Sequence, residues 1–208
     1  MLRVRKFVFL TSGIFTTIIT LAMYGHVRAS SLIVPDNYPT IQAAIDAASP
    51  GDTIVVRSGT YFENLTLNKA VTLTAESFDS SDPTHNTTII DGGVSSLIPV
   101  ISIPTDITPM PTIRGFIIRY GEDGIKTRSE LIVEYNYFIS AAGDLMDYGR
   151  DSGGINHHNV YFAAGDDALD LDDMNLPLTV EDNRMMYSGD DGIEVRLQDT
   201  SAPSVPIT

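Results

Sequence analysis

Residues 165–173 read GDDALDLDD, five aspartates in nine positions with no base among them. A near copy, GDDGIEVR, follows at 189–196. Carboxylates crowded in this way support three kinds of chemistry. A pair can act as acid and base on a glycosidic bond. Several oxygens can converge on a hard cation such as calcium. Aspartates at turns can also simply accept from nearby backbone N–H groups, with no ligand involved. The Gly-Asp-Asp phrases have the composition of turns, so Asp166, Asp167, Asp190 and Asp191 are assigned to turn and solvated acidic surface. The remaining acids, Asp170, Asp172 and Glu194, lie in alternating stretches and are the candidates for a cation.

The repetition decides what must position them. Aligned on glycine, Gly121, Gly143, Gly165 and Gly189 are 22, 22 and 24 residues apart. A second marker agrees: Asn136, Asn159 and Asn183 are separated by 23 and 24. Two markers with one period mean stacked structural units. Each period contains short β-branched stretches and no helical pattern, and the leucine density of a leucine-rich repeat is missing. The chain is therefore expected to be all-β, a parallel β-helix in which each coil contributes short strands and like residues stack on like. Asn136, Asn159 and Asn183 are expected to form one column. The single helical pattern, YPTIQAAIDAASPGD at 38–52, has Thr40 as cap and Ile41, Ala44, Ile45 and Ala48 on one face. It is expected to cover the first coil. Strands are expected at 53–57, 63–67, 71–75 and 88–91, with Ser58-Gly59 as a turn and 76–87 as an outward loop.

Alternation along the strands points Leu169, Leu171, Ile193 and Val195 inward and leaves Asp170 and Glu194 exposed. Alignment on glycine then predicts two outer columns, Lys126, Tyr148, Asp170, Glu194 and Arg128, Arg150, Asp172, Arg196. Asp170 and Glu194 fall on adjacent coils, where like charges destabilise a sheet unless they splay into water or share a cation. Calcium is the expected ion, held by Asp170, Asp172 and Glu194. His157-His158 suggests a metal by residue type, but adjacent strand residues face opposite ways, so the pair is assigned to surface.

Composition narrows the partners. Thirteen bases against 27 acids give a formal charge of −14, which excludes a basic nucleic-acid face and disfavours a membrane surface. Arg3, Arg5 and Lys6 precede an apolar run, and Val27-Arg28-Ala29 offers a cleavage site, so residues 1–29 are expected to be a secretory signal peptide. An uncleaved anchor is the alternative, because 7–24 is long for a signal core. Cleavage leaves 9 bases and 27 acids, a charge of −18. With no cysteine, an exported fold must be held by burial and hydrogen bonds alone. The expected organisation is signal peptide at 1–29, β-helix domain at 30–199 and a linker or truncated end at 200–208.

The phrase TIQAAIDAASPGDTIVVRSGTYFENLTLNKAVTLTAES, followed by TIIDGG, resembles the N-terminal coils of secreted right-handed parallel β-helix proteins of the pectin lyase-like superfamily. The likeness runs from about residue 33 to 93, and the repeats at 113–199 extend it. It implies a right-handed coil with a short N-terminal capping helix, a secreted or cell-surface monomer, and a polysaccharide partner, uronic-acid polymers among them. Under that implication Lys126, Arg128, Arg150 and Arg196 are the candidate substrate-binding residues. Three functions follow: a non-catalytic binding or display protein for acidic polysaccharide, a calcium-dependent polysaccharide lyase, and a polygalacturonase-like hydrolase. The hydrolase ranks last, because only the Gly-Asp-Asp at 165–167 matches that family and its Asn-x-Asp, Gly-His-Gly and Arg-x-Lys partners are missing. If the protein is an enzyme, the lyase is the expected class.

Overall fold

A computed structural model describes residues 29–94 and 97–196. The expected signal peptide, up to residue 28, and the expected linker at 200–208 lie outside the described residues. Short β-branched stretches broken by turns cannot bury an apolar face alone, so they coil and stack. Seven parallel strands, from Ser31–Val34 to Leu178–Glu181, make the first sheet. Six from Gly59–Phe62 to Arg184–Met186 make the second, and six from Leu65–Thr66 to Ile193–Arg196 the third. Each coil after the first adds a strand to every sheet. The result is a right-handed parallel β-helix of about seven turns. Right-handedness follows from strand twist, as in other parallel crossovers. The four expected strands occur at Thr53–Val56, Leu65–Thr66, Thr72–Ala75 and Thr88–Asp91. Gly59–Phe62 is a strand as well, where only a turn was expected.

The helix, Ile41–Ala47, packs its Ile41, Ala44 and Ile45 onto the first coil. The coil supplies the helix's missing partners at both ends. Glu63 accepts from the N–H groups of Ile41 (2.9 Å) and Gln42 (3.0 Å), and Lys69 Nζ donates to the carbonyls of Asp46 and Ala48 at 2.6 and 2.8 Å. These are the orphan groups of any helix end, satisfied here by residues 20-odd positions away. Gln42 also turns its amide to the open edge of Leu65–Thr66. It accepts from Thr66 N (2.9 Å) and donates to Thr66 O (3.3 Å), imitating a neighbouring strand. An edge occupied in this way offers no template to another chain.

Both sequence markers have a physical cause. Asn136, Asn159 and Asn183 form the expected column: Asn159 Oδ1 accepts from Asn136 N at 2.9 Å, and Asn183 Oδ1 accepts from Asn159 N at 2.8 Å. Each follows a residue in the left-handed region, Tyr135, His158 and Asp182, which turns the chain out of the first sheet and leaves a backbone N–H for the asparagine to satisfy. Glycine is required where turns stack closest. A Cβ at Gly165 would lie 2.0 Å from Ala142 O, and one at Gly189 would lie 2.1 Å from Gly165 O.

The core is a continuous apolar column along the coil axis, with Phe138 stacked on Tyr161 at 4.8 Å. Leu169 and Leu171 are buried in it as expected. Ile193 and Val195 pair with them in register and share the inward face, yet each remains 46% exposed. Among the described residues no coil stacks beyond them, and that is what the alternation could not reveal. Truncating Leu171 to alanine is expected to cost about 2–5 kcal/mol in equilibrium unfolding; a cost near zero would show that the site collapses without a cavity.

Two expectations are corrected. Tyr148 does not face outward. Its register partner is Thr127, not Lys126, because the Gly143 coil has one residue fewer between its glycine and its strand than the other three. The slip carries Tyr148 into the core, where its hydroxyl accepts from Asn156 Nδ2 (3.1 Å) and burial raises its pKa. Loop 76–87 is not thrown outward either. Phe78 stacks on Tyr135 (5.6 Å), Asn86 Nδ2 donates to Tyr135 O (2.9 Å) and Arg184 reaches Asp82 (3.0 Å), so the loop lies back along the turns of later coils. Gly115 makes room for it, since a Cβ there would meet the Phe78 ring at 2.6 Å.

Candidate functional site

The carboxylates gather on the third sheet and in the turns that feed it. Those turns contain a third column. Asp123 Oδ1 accepts from Asp144 N (3.2 Å), Asp144 Oδ1 from Asp167 N (3.0 Å), and Asp167 Oδ1 from Asp191 N (2.7 Å). Aspartate here does what asparagine does at the other corner, satisfying the backbone of the next coil, but it brings a negative charge with each rung. The spacing 123, 144, 167, 191 was visible in the sequence. It was obscured because the Gly143 coil carries a single turn acid where its neighbours carry two.

Beside this ladder runs the strand column, Lys126, Asp147, Asp170, Glu194, fixed by the register of the four strands. Asp147 takes the place expected for Tyr148. Lys126 Nζ bonds Asp147 and lies 3.5 Å from Asp123. Burial disfavours its charge, but these two acids outweigh it and the ammonium pKa rises. Asp170 was expected at the surface and is buried, 6% exposed, under its neighbours on both coils. Arg196 bonds Glu194 and lies 3.6 Å from Asp172 and 3.7 Å from Asp170.

One guanidinium does not satisfy all of this. Asp170 Oδ1 and Asp172 Oδ1 are buried and have no hydrogen-bond partner among the described residues. Asp167, Asp170 and Glu194 each bring a carboxylate oxygen within 4.8 Å of the others, and Asp144, Asp166 and Asp167 form a second such group. The structure thus brings together two of the three expected cation ligands, Asp170 and Glu194, and adds Asp167. Asp172 stands two residues along, against Arg196. The donors are all carboxylate oxygens, which suits a hard ion of the calcium type rather than one that prefers nitrogen or sulfur.

Crowding and burial together shift the acids of this strip. Asp170 is pushed up to about 6, first by burial and then by Asp172, with Arg196 opposing. Asp144 is pushed up to about 7, again mainly by burial, with Asp170, Asp123 and Asp147 adding to it. Burial likewise raises Asp123 and Asp167, the latter also through a hydrogen bond with Glu194. A bound cation would reverse each of these shifts.

Adjoining the acids is a cleft of about 220 Å³ lined by Lys126, Arg128, Arg150, Asp147, Asp172 and Asp173. Three of the four expected substrate-binding residues therefore share one cavity, and Arg196 lies outside its lining. Arg150 sits one position past the column because of the same slip, and approaches Asp173 at 3.8 Å. Arg128 passes over Gly149, with its Cγ 3.7 Å from where a Cβ would be. The arrangement is a strip in which Lys126, Arg128 and Arg150 at one end and Arg196 at the other flank a run of acids along the stack.

Fold and site define the class as a parallel β-helix with an acidic, cleft-bearing sheet. Comparison with known protein families, curated proteins and solved structures returns no match. Among the described residues no helix is long and apolar enough to cross a membrane.

Proposed function

We propose that the chain is a secreted or cell-surface β-helix, related to the pectin lyase-like superfamily, that binds acidic polysaccharide along its third sheet. In this reading Asp170, Glu194 and Asp167 hold calcium, and Lys126, Arg128 and Arg150 take uronate carboxylates. The observation that carries it is the union of a three-base cleft with buried, unpartnered carboxylate oxygens on one face. Strands there repeat about every 4.8 Å, so a linear polymer lying along the stack meets a new coil at each step. Positive side chains and a cation recognise its carboxylates, while the neighbouring acids exclude nucleic acid.

A lyase is the second reading, favoured by Arg128. Of the four candidate bases it alone makes no ion pair among the described residues. In such a reaction calcium would neutralise the uronate carboxylate, a base would remove the adjacent carbon-bound proton, and the glycosidic C–O bond would break as a C=C bond forms, the leaving oxygen taking up a proton.

Calorimetric titration of the purified chain with uronic-acid oligomers, with and without calcium, separates the readings. Expected is calcium-dependent binding, weakened about tenfold or more in Arg128→Ala/Arg150→Ala through loss of charge-assisted hydrogen bonds. Ultraviolet absorbance should stay flat; a calcium-dependent rise from unsaturated product, lost in Arg128→Ala, would establish the lyase instead. Absence of binding to every uronate tested would overturn both.

A further inference from the structure

His157 and His158 lie at the corner between the first and second sheets, away from the acidic strip. Strand alternation sends adjacent side chains to opposite faces. That rule holds only within a strand, and the strand Gly153–His157 ends at His157. His158 has φ 56°, in the left-handed region, and this turn swings its imidazole back to the side of its neighbour. The two Nδ1 atoms meet at 2.7 Å.

The outer nitrogens are held by carboxylates. His157 Nε2 lies 3.1 Å from Glu134 Oε2, and His158 Nε2 lies 3.7 Å from Asp182 Oδ2. Glu134 is itself anchored, with its Oε1 3.5 Å from Arg114 Nη1. Tyr135, one coil back, packs against both rings, at 5.0 Å from His158 and 5.8 Å from His157. Two imidazoles with their Nε2 atoms turned to carboxylates and their Nδ1 atoms converging have the second-shell pattern of metal-binding histidines. The rings stay accessible, with side chains 19% and 40% exposed.

We propose that His157 and His158 form a two-imidazole clamp for one divalent transition metal, copper(II) before all others, with Glu134 and Asp182 as orienting carboxylates. Distance selects the ion. Two nitrogens each about 2.0–2.1 Å from a metal are about 2.9 Å apart at a right angle and about 3.3 Å apart at the tetrahedral angle. The hydrogen-bonded Nδ1 atoms, 2.7 Å apart, need open only slightly to reach the first, the cis arrangement of tetragonal copper(II) or nickel(II), and imidazole donors favour copper(II) among the divalent ions. Two protein ligands leave positions for water or an exogenous ligand. Both Nδ1 atoms must be bare to coordinate, so metal binding releases any proton shared between them.

The test is a copper(II) titration of the tag-free full chain against a competing chelator, read by electron paramagnetic resonance. Expected are one copper per chain and an axial signal with nitrogen hyperfine structure. His157→Gln and His158→Asn should each weaken binding about tenfold or more; asparagine is chosen because it tolerates left-handed backbone. Glu134→Gln should weaken it about tenfold, the scale of a lost orienting carboxylate. Melting without metal shows whether each variant is folded, and double-histidine variants that melt as wild type provide the decisive comparison. His26→Ala, His85→Ala, Asp170→Asn/Glu194→Gln and excess calcium should leave the signal unchanged. The proposal is overturned if the folded His157 and His158 variants bind copper as wild type does, or if the signal follows His26, His85 or the acidic strip. Failure of the calcium reading would leave this result untouched, since the two sites share no residue.

Discussion

Replacing Asn159 by alanine is expected to destabilise the protein by about 3–5 kcal/mol, more than an ordinary polar substitution, because several buried groups lose their partner together. Asn159 is 1% exposed. Its Oδ1 accepts from the backbone and side-chain nitrogens of Asn136 at 2.9 and 3.2 Å. Its Nδ2 lies within hydrogen-bond distance of Val133 O and Asn156 Oδ1, both at 2.9 Å. Asn156 in turn accepts from the Tyr161 hydroxyl, so the loss spreads into the core network. Each buried donor or acceptor left alone costs about 1–3 kcal/mol. Asn183, on the last described coil and only half-buried, accepts from Asn159 N alone on the backbone side. Asn183→Ala should therefore cost less, about 1–2 kcal/mol. Urea unfolding of both variants checks the ranking. Equal small costs would mean that water replaces the ladder without penalty.

In chelator, the melting temperature is expected to fall as pH rises from about 5 to 8. The sign follows from Asp170 and Asp144, raised from 3.8 to about 6 and about 7. A carboxyl whose folded pKa lies above its unfolded one binds more protons when folded. Its stabilising contribution is complete below the unfolded pKa and is lost as pH climbs through the folded value. Asp36, Asp52, Asp79 and Asp82 are shifted the other way, by hydrogen bonds from Arg57, Ser30, Ser81 and Thr84 respectively. Their contribution is lost only below the ordinary carboxylate range, so it does not govern the window from 5 to 8. At about 1.4 kcal/mol per unit, and with the two acids coupled, the loss is on the order of a few kcal/mol. For a chain of this size that is roughly 5–10 °C. Calcium should abolish the fall by holding the carboxylates ionised, and should raise the melting temperature most at pH 8. Asp170→Asn/Glu194→Gln should show no calcium response and should melt higher than wild type in chelator at pH 8, because the repulsion is gone. A wild type indifferent to calcium across this range would show that the strip holds its crowded acids without a cation.

Much of the fold was legible because a solenoid writes its geometry into its period. The stacked asparagines and the capping helix depend on spacing and on local partners, both of which one sequence displays. The close-packed glycines announce themselves in the same way. What alternation could not decide were the places where one residue is missing or where a strand stops. The short Gly143 coil turned Tyr148 inward and put Asp147 in the acidic column, because period-two geometry reverses every side chain after a single deletion. At His158 the strand had already ended, so a left-handed turn joined two rings that a strand would have parted. Asp170 points off the strand as expected, yet burial is a property of what lies on either side, and neighbouring coils and Arg196 cover it. Sequence by itself thus determined that acids, asparagines and glycines would stack. Which of those acids end up buried without a partner was decided only by the register between coils, since desolvation depends on neighbours brought together from more than 20 residues away.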